Sequence, residues 1–210
     1  MKLTPLRDGE IVVVDDLMSP SNVLFLLEAV KSTNFPWFYI RNTHTYEDDP
    51  LPDSHGFIHW LLEPPSMGLE TSAYLNIFSP ILYTAVDAVG MKFEQLIRAR
   101  VNLSVKSPNQ IPGYPHVDWT EPRQYWSALY YLEDSDGDTL FYDYKCTAGT
   151  TDRNPLSGSI SERVSPKRNR AVVFNGHIAH SASLPLEHQT RTVVNFCFIA
   201  TPLSSSHLRI

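Results

Sequence analysis

The chain has 210 residues, a length that suits one domain, and its 42% apolar content is lean but sufficient for a packed core. Seventeen Lys and Arg against 23 Asp and Glu leave a formal net charge of −6, which argues against the basic stripe of a nucleic-acid or anionic-membrane surface. Two cysteines, Cys146 and Cys197, are too few for a disulfide framework. No run approaches the roughly 18 apolar residues of a membrane span, and the first residues carry no apolar signal segment, so the expectation is a soluble, cytoplasmic protein.

In chain order, Ser19-Pro20-Ser21 ahead of the apolar residues 22–30 predicts a first helix of about three turns. Residues 41–56 are polar and acidic, with Glu47, Asp48, Asp49 and Asp53 beside Pro50 and Pro52, and read as a long surface loop, either a lid or an exposed excursion. Ser79-Pro80 repeats the helix-start signal, so a second helix is expected from there through residues 81–89 to Gly90. Over residues 96–105 the texture changes to a period of two, with Ile97, Ala99, Val101 and Leu103 alternating against Arg98, Arg100, Asn102 and Ser104. Further strands are expected at 125–132, 139–144, 171–174 and 191–200. Short strands between turn-rich segments, without a βαβ rhythm, predict an antiparallel barrel or jelly roll. The chain therefore reads as α+β but mainly β: helical support over about residues 19–90 and a β core over about 94–200. The helices have apolar faces that need a partner, which makes residues 1–210 one domain.

Three short contexts carry chemistry. In His116-Val117-Asp118, residues i and i+2 of an extended segment point to the same side, so an imidazole and a carboxylate converge, a pairing that suits a borderline divalent metal or a simple His–Asp hydrogen bond. Asn175-Gly176-His177-Ile178-Ala179-His180-Ser181 offers a second histidine, His177 or His180, and Arg191 opens the last long strand. The planar guanidinium of an arginine pairs bidentately with a carboxylate and stays charged when partly buried, so these are the parts for a metal and a bound carboxylate. If Arg191 faces the interior, so do Val193, Asn195 and Cys197, while Thr192, Val194, Phe196 and Phe198 face the helices. Asn195 then contacts a cosubstrate or a metal ligand, or makes a structural hydrogen bond; Cys197 reads as a small buried hydrophobe. Trp119 and Trp126 pack on a rim or line a cleft. Asp134-Ser135-Asp136-Gly137-Asp138 fails as a calcium loop, because Thr139 stands where the turn glycine is needed and Lys145 where the bidentate Glu belongs, and reads as a tight acidic turn. His188 lies too close to the strand to be a ligand, and His44, His55, His59 and His207, in loop-like or terminal regions, receive no role. No phosphate-loop, serine-hydrolase or zincin motif is present.

In order along the chain, His116-Val117-Asp118, Ala128-Leu129-Tyr130-Tyr131-Leu132, Asp136-Gly137-Asp138-Thr139-Leu140-Phe141, Ser165-Pro166-Lys167, Ala171-Val172-Val173-Phe174 and His180 to Arg191 resemble the 2-oxoglutarate- and Fe(II)-dependent dioxygenases, specifically the prolyl 4-hydroxylase-like branch. The resemblance covers about residues 98–200; the first ninety residues match only in being helical. It implies a double-stranded β-helix (jelly roll, cupin-like) core in which His116, Asp118 and His180 ligate Fe(II). His180 is preferred to His177 because His-Ser-x-x-x-Pro resembles the segment that follows the family's distal histidine. Arg191 would bind the distal carboxylate of 2-oxoglutarate, assisted by the Tyr131 hydroxyl. The implied reaction consumes O2, converts 2-oxoglutarate to succinate and CO2, and hydroxylates a C–H bond, with ascorbate as an accessory reductant. Three departures stand out: Asn102-Leu103 replaces the Asn-Tyr pair of some prolyl hydroxylases, Tyr114-Pro115 sits tightly before His116, and residues 146–162 are long and rich in Gly, Ser and Thr. Branch resemblance favours a prolyl residue of a peptide or protein as substrate, then a free amino acid or small metabolite, with no nucleic acid or membrane partner expected. The oligomeric state is not legible. Two rivals are a non-catalytic jelly-roll binding module, expected to have lost a ligand or the arginine, and a zinc hydrolase or isomerase, which needs no dicarboxylate clamp.

Overall fold

The computed structural model describes residues 1–41, 43, 54–64, 68, 70–109, 112–120, 122–146 and 158–203. Most of the expected 41–56 loop, the middle of the 146–162 stretch, His44 and His207 lie outside them. The strands are β1 (Lys2–Leu6), β2 (Ile11–Asp15), β3 (Phe38–Ile40), β4 (Gly56–Leu62), β5 (Met91–Val105), β6 (Trp126–Tyr131), β7 (Thr139–Lys145), β8 (Ile160–Val164), β9 (Arg170–Asn175), β10 (Ile178–Ala182) and β11 (Thr190–Pro202). The helices are α1 (Pro20–Lys31) and α2 (Leu75–Ala88). An eight-stranded antiparallel sheet runs β1-β2-β9-β6-β11-β5-β4-β3, and a three-stranded sheet runs β10-β7-β8.

Period-two alternation sorts the large sheet into two working faces. Val194, Phe196 and Phe198 of β11, Ala99 and Val101 of β5, and Ala128 and Tyr130 of β6 pack against Leu26 and Val30 of α1 and Phe78, Ile81 and Leu82 of α2. This is the main core, and each fully buried aliphatic or aromatic side chain in it contributes about 1.5–3 kcal/mol relative to exposure. The opposite face meets the small sheet through Leu129, Tyr131, Val172, Phe174 and Val193 on one side and Phe141, Val164 and Ile178 on the other. A double-stranded β-helix with helices on its outer face is the result, as expected.

Helix α1 starts where the sequence predicts, with the Ser19 hydroxyl accepting from the Asn22 amide and Pro20 in the first turn. The expected start of α2 is wrong. The helix begins at Leu75, four residues ahead of Ser79, and Pro80 sits inside it. Pro80 is exposed, so the hydrogen bond its missing N–H cannot give is lost on the solvent side. Phe78 and Ile81, both buried, hold the two flanking turns to the sheet.

The expectation of helical support over residues 19–90 needs a second correction, since β3 and β4 lie within that span and extend the large sheet beyond β5. At the other edge β1 and β2 form a hairpin that pairs with β9. Its turn places Arg7, Asp8 and Gly9 at φ of 47°, 55° and 85°. Asn169, at φ 67°, ties the inner edge of that hairpin: its side chain accepts from the Met18 amide at 2.7 Å and donates to the Met18 carbonyl at 2.9 Å. No helix among the described residues is long and apolar enough to cross a membrane.

Candidate metal centre

An isolated antiparallel bridge joins His116 to His180: each backbone N–H donates to the other's carbonyl at 2.9 Å. The bridge fixes the two imidazole centroids 4.8 Å apart. Each Nδ1 lies against a backbone carbonyl, Tyr114 O at 3.0 Å for His116 and Ile178 O at 3.1 Å for His180. A carbonyl can only accept, so each Nδ1 carries a proton, which leaves Nε2 as the atom each ring can offer to a metal. Two residues on from His116, Asp118 closes the group, and its Oδ2 stands 3.4 Å from His180 Nε2. The ligand atoms of His116, Asp118 and His180 all lie within 4.8 Å of one another. Val117, between them, packs on the other side with Leu140 and Ala179. Phe141 and Phe174 back the His180 ring at centroid distances of 6.3 and 4.8 Å.

Burial, then the neighbouring His180, pushes His116 down to about 4, so its imidazole is neutral at physiological pH. For Asp118 burial acts in the raising direction, but the Arg98 guanidinium leads the opposing interactions, which hold its carboxyl well below the usual range. Arg98 is the closest of these: Nη2 donates to Asp118 Oδ1 at 2.6 Å and Nη1 to the Asp118 carbonyl at 3.0 Å. Asn195 Nδ2 donates to Oδ2 at 3.1 Å and to Oδ1 at 3.3 Å, and the Ser127 hydroxyl lies 3.4 Å from Oδ2. The carboxylate is therefore held from β5, β6 and β11 at once, and its orientation is set by three strands rather than by its own loop.

Arg191 opens β11 on the same face, as register shows: Arg191, Val193, Asn195 and Cys197 pair with Ser104, Asn102, Arg100 and Arg98 of β5. Its side chain is 5% exposed. Nε donates to the Gly137 carbonyl at 2.7 Å and Nη2 to the Thr139 hydroxyl at 2.9 Å. The Tyr131 and Thr139 hydroxyls share a 2.7 Å hydrogen bond, and the Arg191 guanidinium carbon lies 5.6 Å from the Tyr131 ring centroid. No carboxylate among the described residues comes within ion-pair distance of Arg191. Burial draws its pKa down from the usual guanidinium value. A buried arginine without an acidic partner is costly in isolation, and a ligand carboxylate would offset that cost.

The residues proposed from sequence thus fall into two groups on one sheet face. His116, Asp118 and His180 cluster with Asn195 touching the carboxylate, and Arg191 and Tyr131 meet at Thr139, four residues back along β11 and so about 13 Å along the strand. His177 is not in the cluster; its ring packs edge-on against Tyr125 at 5.1 Å. Cys197 is fully buried with Ile97, Tyr125 and Ile199, and burial pushes its thiol up to about 12, so it is an inert hydrophobe; neither it nor Cys146 forms a disulfide. Trp119 packs beside Tyr125 on the site side, whereas Trp126 lies against the helical core. His188 is exposed and pairs with Asp136 at 3.0 Å. His59 lies in β4 rather than in a loop, buried between the Pro36 carbonyl at 3.0 Å and the Ser72 hydroxyl at 2.8 Å. Sequence reasoning missed Arg98, Arg100, Ser127 and Thr139. The available signal was the polar half of the 96–105 alternation, which lies on the site face.

No protein-family model matches the sequence, and no curated protein matches it. Solved structures do match the fold. One is an oxidoreductase of the 2OG-Fe(II) oxygenase family from Burkholderia pseudomallei, at TM-score 0.63 and 14% identity over 92% of this chain and 87% of that one. Another is a prolyl-4-hydroxylase from Pseudomonas putida, at TM-score 0.53 and 15% identity over 90% and 92%. A third is the epimerase SnoN in complex with Fe3+, alpha ketoglutarate and nogalamycin RO, at TM-score 0.55 and 14% identity over 93% and 82%. The chain has the fold of the 2OG-Fe(II) oxygenases, including that of the prolyl hydroxylases among them.

Proposed function

We propose that the protein is an Fe(II)- and 2-oxoglutarate-dependent dioxygenase that hydroxylates a C–H bond and releases succinate and CO2. The observation that carries this reading is the pairing, on one sheet face, of a His-Asp-His cluster with a buried arginine that has no carboxylate within ion-pair distance among the described residues. The donor set fits the metal: two imidazoles whose Nδ1 atoms are committed to backbone carbonyls, with Nε2 left to ligate, and one ionised carboxylate are the ligands of the facial triad of non-haem Fe(II) oxygenases. His116, Asp118 and His180 would hold Fe(II), while Arg191 would take the distal carboxylate of 2-oxoglutarate and Tyr131 would buttress it through Thr139. When bound, the iron and 2-oxoglutarate supply the activation of O2 that a protein side chain cannot.

The chain's own contribution is positional. The Tyr114 and Ile178 carbonyls keep both imidazoles in one tautomer, and Arg98, Asn195 and Ser127 hold the carboxylate. Gly137 and Thr139 aim Arg191, and the apolar layer of Leu129, Phe141 and Phe174 excludes water from the inner end of the site. We read the helical layer and both sheets as one catalytic unit, because the core that supports β11 also contains α1 and α2. A prolyl residue of a peptide is the substrate class favoured by the sequence resemblance, and the P. putida prolyl-4-hydroxylase is similar in fold over 90% of the chain. SnoN, in complex with nogalamycin RO, is as similar, so a small metabolite is the alternative.

The test is succinate formation from 2-oxoglutarate under air with Fe(II). Uncoupled turnover that needs Fe(II) and is not supported by Zn(II) is the expected result. No succinate with folded, iron-loaded protein would overturn the oxygenase reading and favour a binding module. Activity with Zn(II) alone would favour a hydrolase or isomerase.

A further inference from the structure

The site face carries more positive charge than the proposed reaction uses. Arg98, Arg100, Asn102 and Ser104 alternate along the inner side of β5, and Arg100 is in register with Asn195 of β11 on one side and Trp60 of β4 on the other. Asn195 is one of the residues that touch Asp118, so Arg100 stands one strand away from the metal cluster. Arg191, four residues back along β11, belongs to the other end of this face.

Arg98 and Arg100 differ in what they bind. Arg98 has taken the Asp118 carboxylate. Both guanidinium groups lie over the Trp60 ring, at 5.7 Å for Arg98 and 5.4 Å for Arg100, and both Nε atoms are buried without a hydrogen-bond partner, but no carboxylate among the described residues lies within ion-pair distance of Arg100. The Arg100 side chain is only partly buried, so it is accessible from outside while part of its donor set is withdrawn from water. Desolvation and the charge of Arg98 both act against its protonated form and draw its pKa down to about 10, yet it remains a cation at physiological pH.

Charge counting points the same way. Of the three arginines on this face, Arg98 is held by Asp118 and Arg191 feels the charge of Asp138, while a divalent iron and a dianionic 2-oxoglutarate would cancel each other. The charge of Arg100 is then left without a carboxylate of its own in a protein whose net charge is −6. An acidic chain gains nothing in general solubility from buried arginines, and such a local cation attracts and orients an anion.

We propose that Arg100, seated on Trp60, is a specificity residue that binds an anionic group, a carboxylate or phosphate, on the substrate. This rests on the oxygenase reading and deepens it. The substrate is then a small acid, or a peptide presenting an acidic group near the target C–H, rather than an internal prolyl residue in a neutral sequence. The guanidinium fork favours a planar oxyanion, which it engages with two parallel hydrogen bonds.

The probes are acetate and inorganic phosphate, with acetamide as the neutral counterpart of acetate, titrated calorimetrically and anaerobically into the Fe(II) protein saturated with 2-oxoglutarate. The wild type is expected to bind both anions saturably and acetamide not at all. Arg100→Gln is expected to weaken anion binding at least about tenfold, the loss of one charge-assisted contact, while Arg100→Lys stays within about threefold. The affinity for 2-oxoglutarate should be unchanged in both. Equal binding of acetate and acetamide by the wild type would overturn the proposal, and this comparison needs no variant to fold. So would anion binding that survives in folded Arg100→Gln, which would place the anion on the metal. A fall in 2-oxoglutarate affinity in Arg100→Gln as large as that in Arg191→Gln would also overturn it, assigning Arg100 to the cosubstrate. If wild-type protein binds no 2-oxoglutarate, the oxygenase reading fails on its own. The acetate and acetamide titrations on metal-free wild type and Arg100→Gln then decide the anion site separately.

Discussion

The imidazole of His180 is 3% exposed, has its Nδ1 proton committed to the Ile178 carbonyl, and leaves its Nε2 facing Asp118. His180→Ala removes one of three donors from a site whose other groups stay in place, so Fe(II) binding should be lost while the fold persists; metal content after anaerobic loading, beside circular dichroism, checks this. Arg191→Gln keeps two hydrogen-bonding groups but removes the charge. It should raise the 2-oxoglutarate concentration needed for half-saturation by about ten- to a hundredfold, the equivalent of about 1.5–3 kcal/mol, with Fe(II) binding retained. Equilibrium titration of both ligands separates the two effects. Period-two spacing puts His116 with Asp118, and Arg191 with Asn195, on a common face, whereas the choice of His180 over His177 and the roles of these residues came from the family resemblance. Arg98 and Arg100 were not legible in the sequence as site residues. In a half-buried strand the polar alternate positions ordinarily meet water, and the 96–105 pattern does not reveal that the face opposite the helices is itself enclosed.

Among the elements, the turn Asp134-Ser135-Asp136-Gly137-Asp138 has the largest consequence for the site. Asp136 Oδ2 accepts from the Leu186 and Glu187 amides at 2.9 and 2.8 Å, and Oδ1 from the His188 amide at 3.1 Å, so this acidic turn clips the segment leading into β11. Partial burial acts to raise the Asp136 pKa, but the amides of Glu187, His188 and Leu186 outweigh it and hold the carboxyl well below its ordinary 3.8. A carboxyl whose folded-state pKa is depressed stabilises the fold above the unfolded value, and that stability is lost as pH falls through the folded value. Asp136→Asn should therefore cost about 2 kcal/mol at neutral pH, and the gap from wild type should narrow below about pH 4. Urea unfolding at a series of pH values measures it. The next residue, Gly137, has no room for a side chain: a Cβ would lie 2.6 Å from the Ser183 carbonyl oxygen and 2.8 Å from Arg191 Cδ. Gly137→Ala should destabilise by about 1–3 kcal/mol through crowding and should also weaken 2-oxoglutarate binding, because the displaced neighbour is the arginine itself. Thermal unfolding and 2-oxoglutarate titration of the variant test both. Sequence alone identified this stretch as a tight turn, but its grip on Arg191 depends on residues some fifty positions later in the chain. Likewise, Ser79-Pro80 reads as a helix start because local rules put proline in the first turn, whereas tertiary burial of Phe78 carries α2 back to Leu75, four residues ahead of Ser79.

At the scale of the whole molecule, the large sheet separates two functions. Its outer face is committed to the helical core, and its inner face carries Arg191 and Asn195 of β11 and Arg98 and Arg100 of β5, with the small sheet closing one end through the Phe141–Phe174 contact at 4.9 Å. Strands β5 and β11 were anticipated because both are long and alternate clearly. The hairpin β1–β2 was not, since its outer strand is exposed and holds Pro5, a residue tolerated only at a sheet edge. This architecture allows ligand binding to be seen without knowing the substrate. Fe(II) and 2-oxoglutarate titrated together into the metal-free protein under anaerobic conditions should produce the weak visible metal-to-ligand charge-transfer band of a chelated 2-oxo acid. The band should grow to saturation in the wild type, be absent from His180→Ala, and require more 2-oxoglutarate in Arg191→Gln. A correctly folded wild-type protein that binds Fe(II) yet develops no band at saturating 2-oxoglutarate would contradict the oxygenase reading.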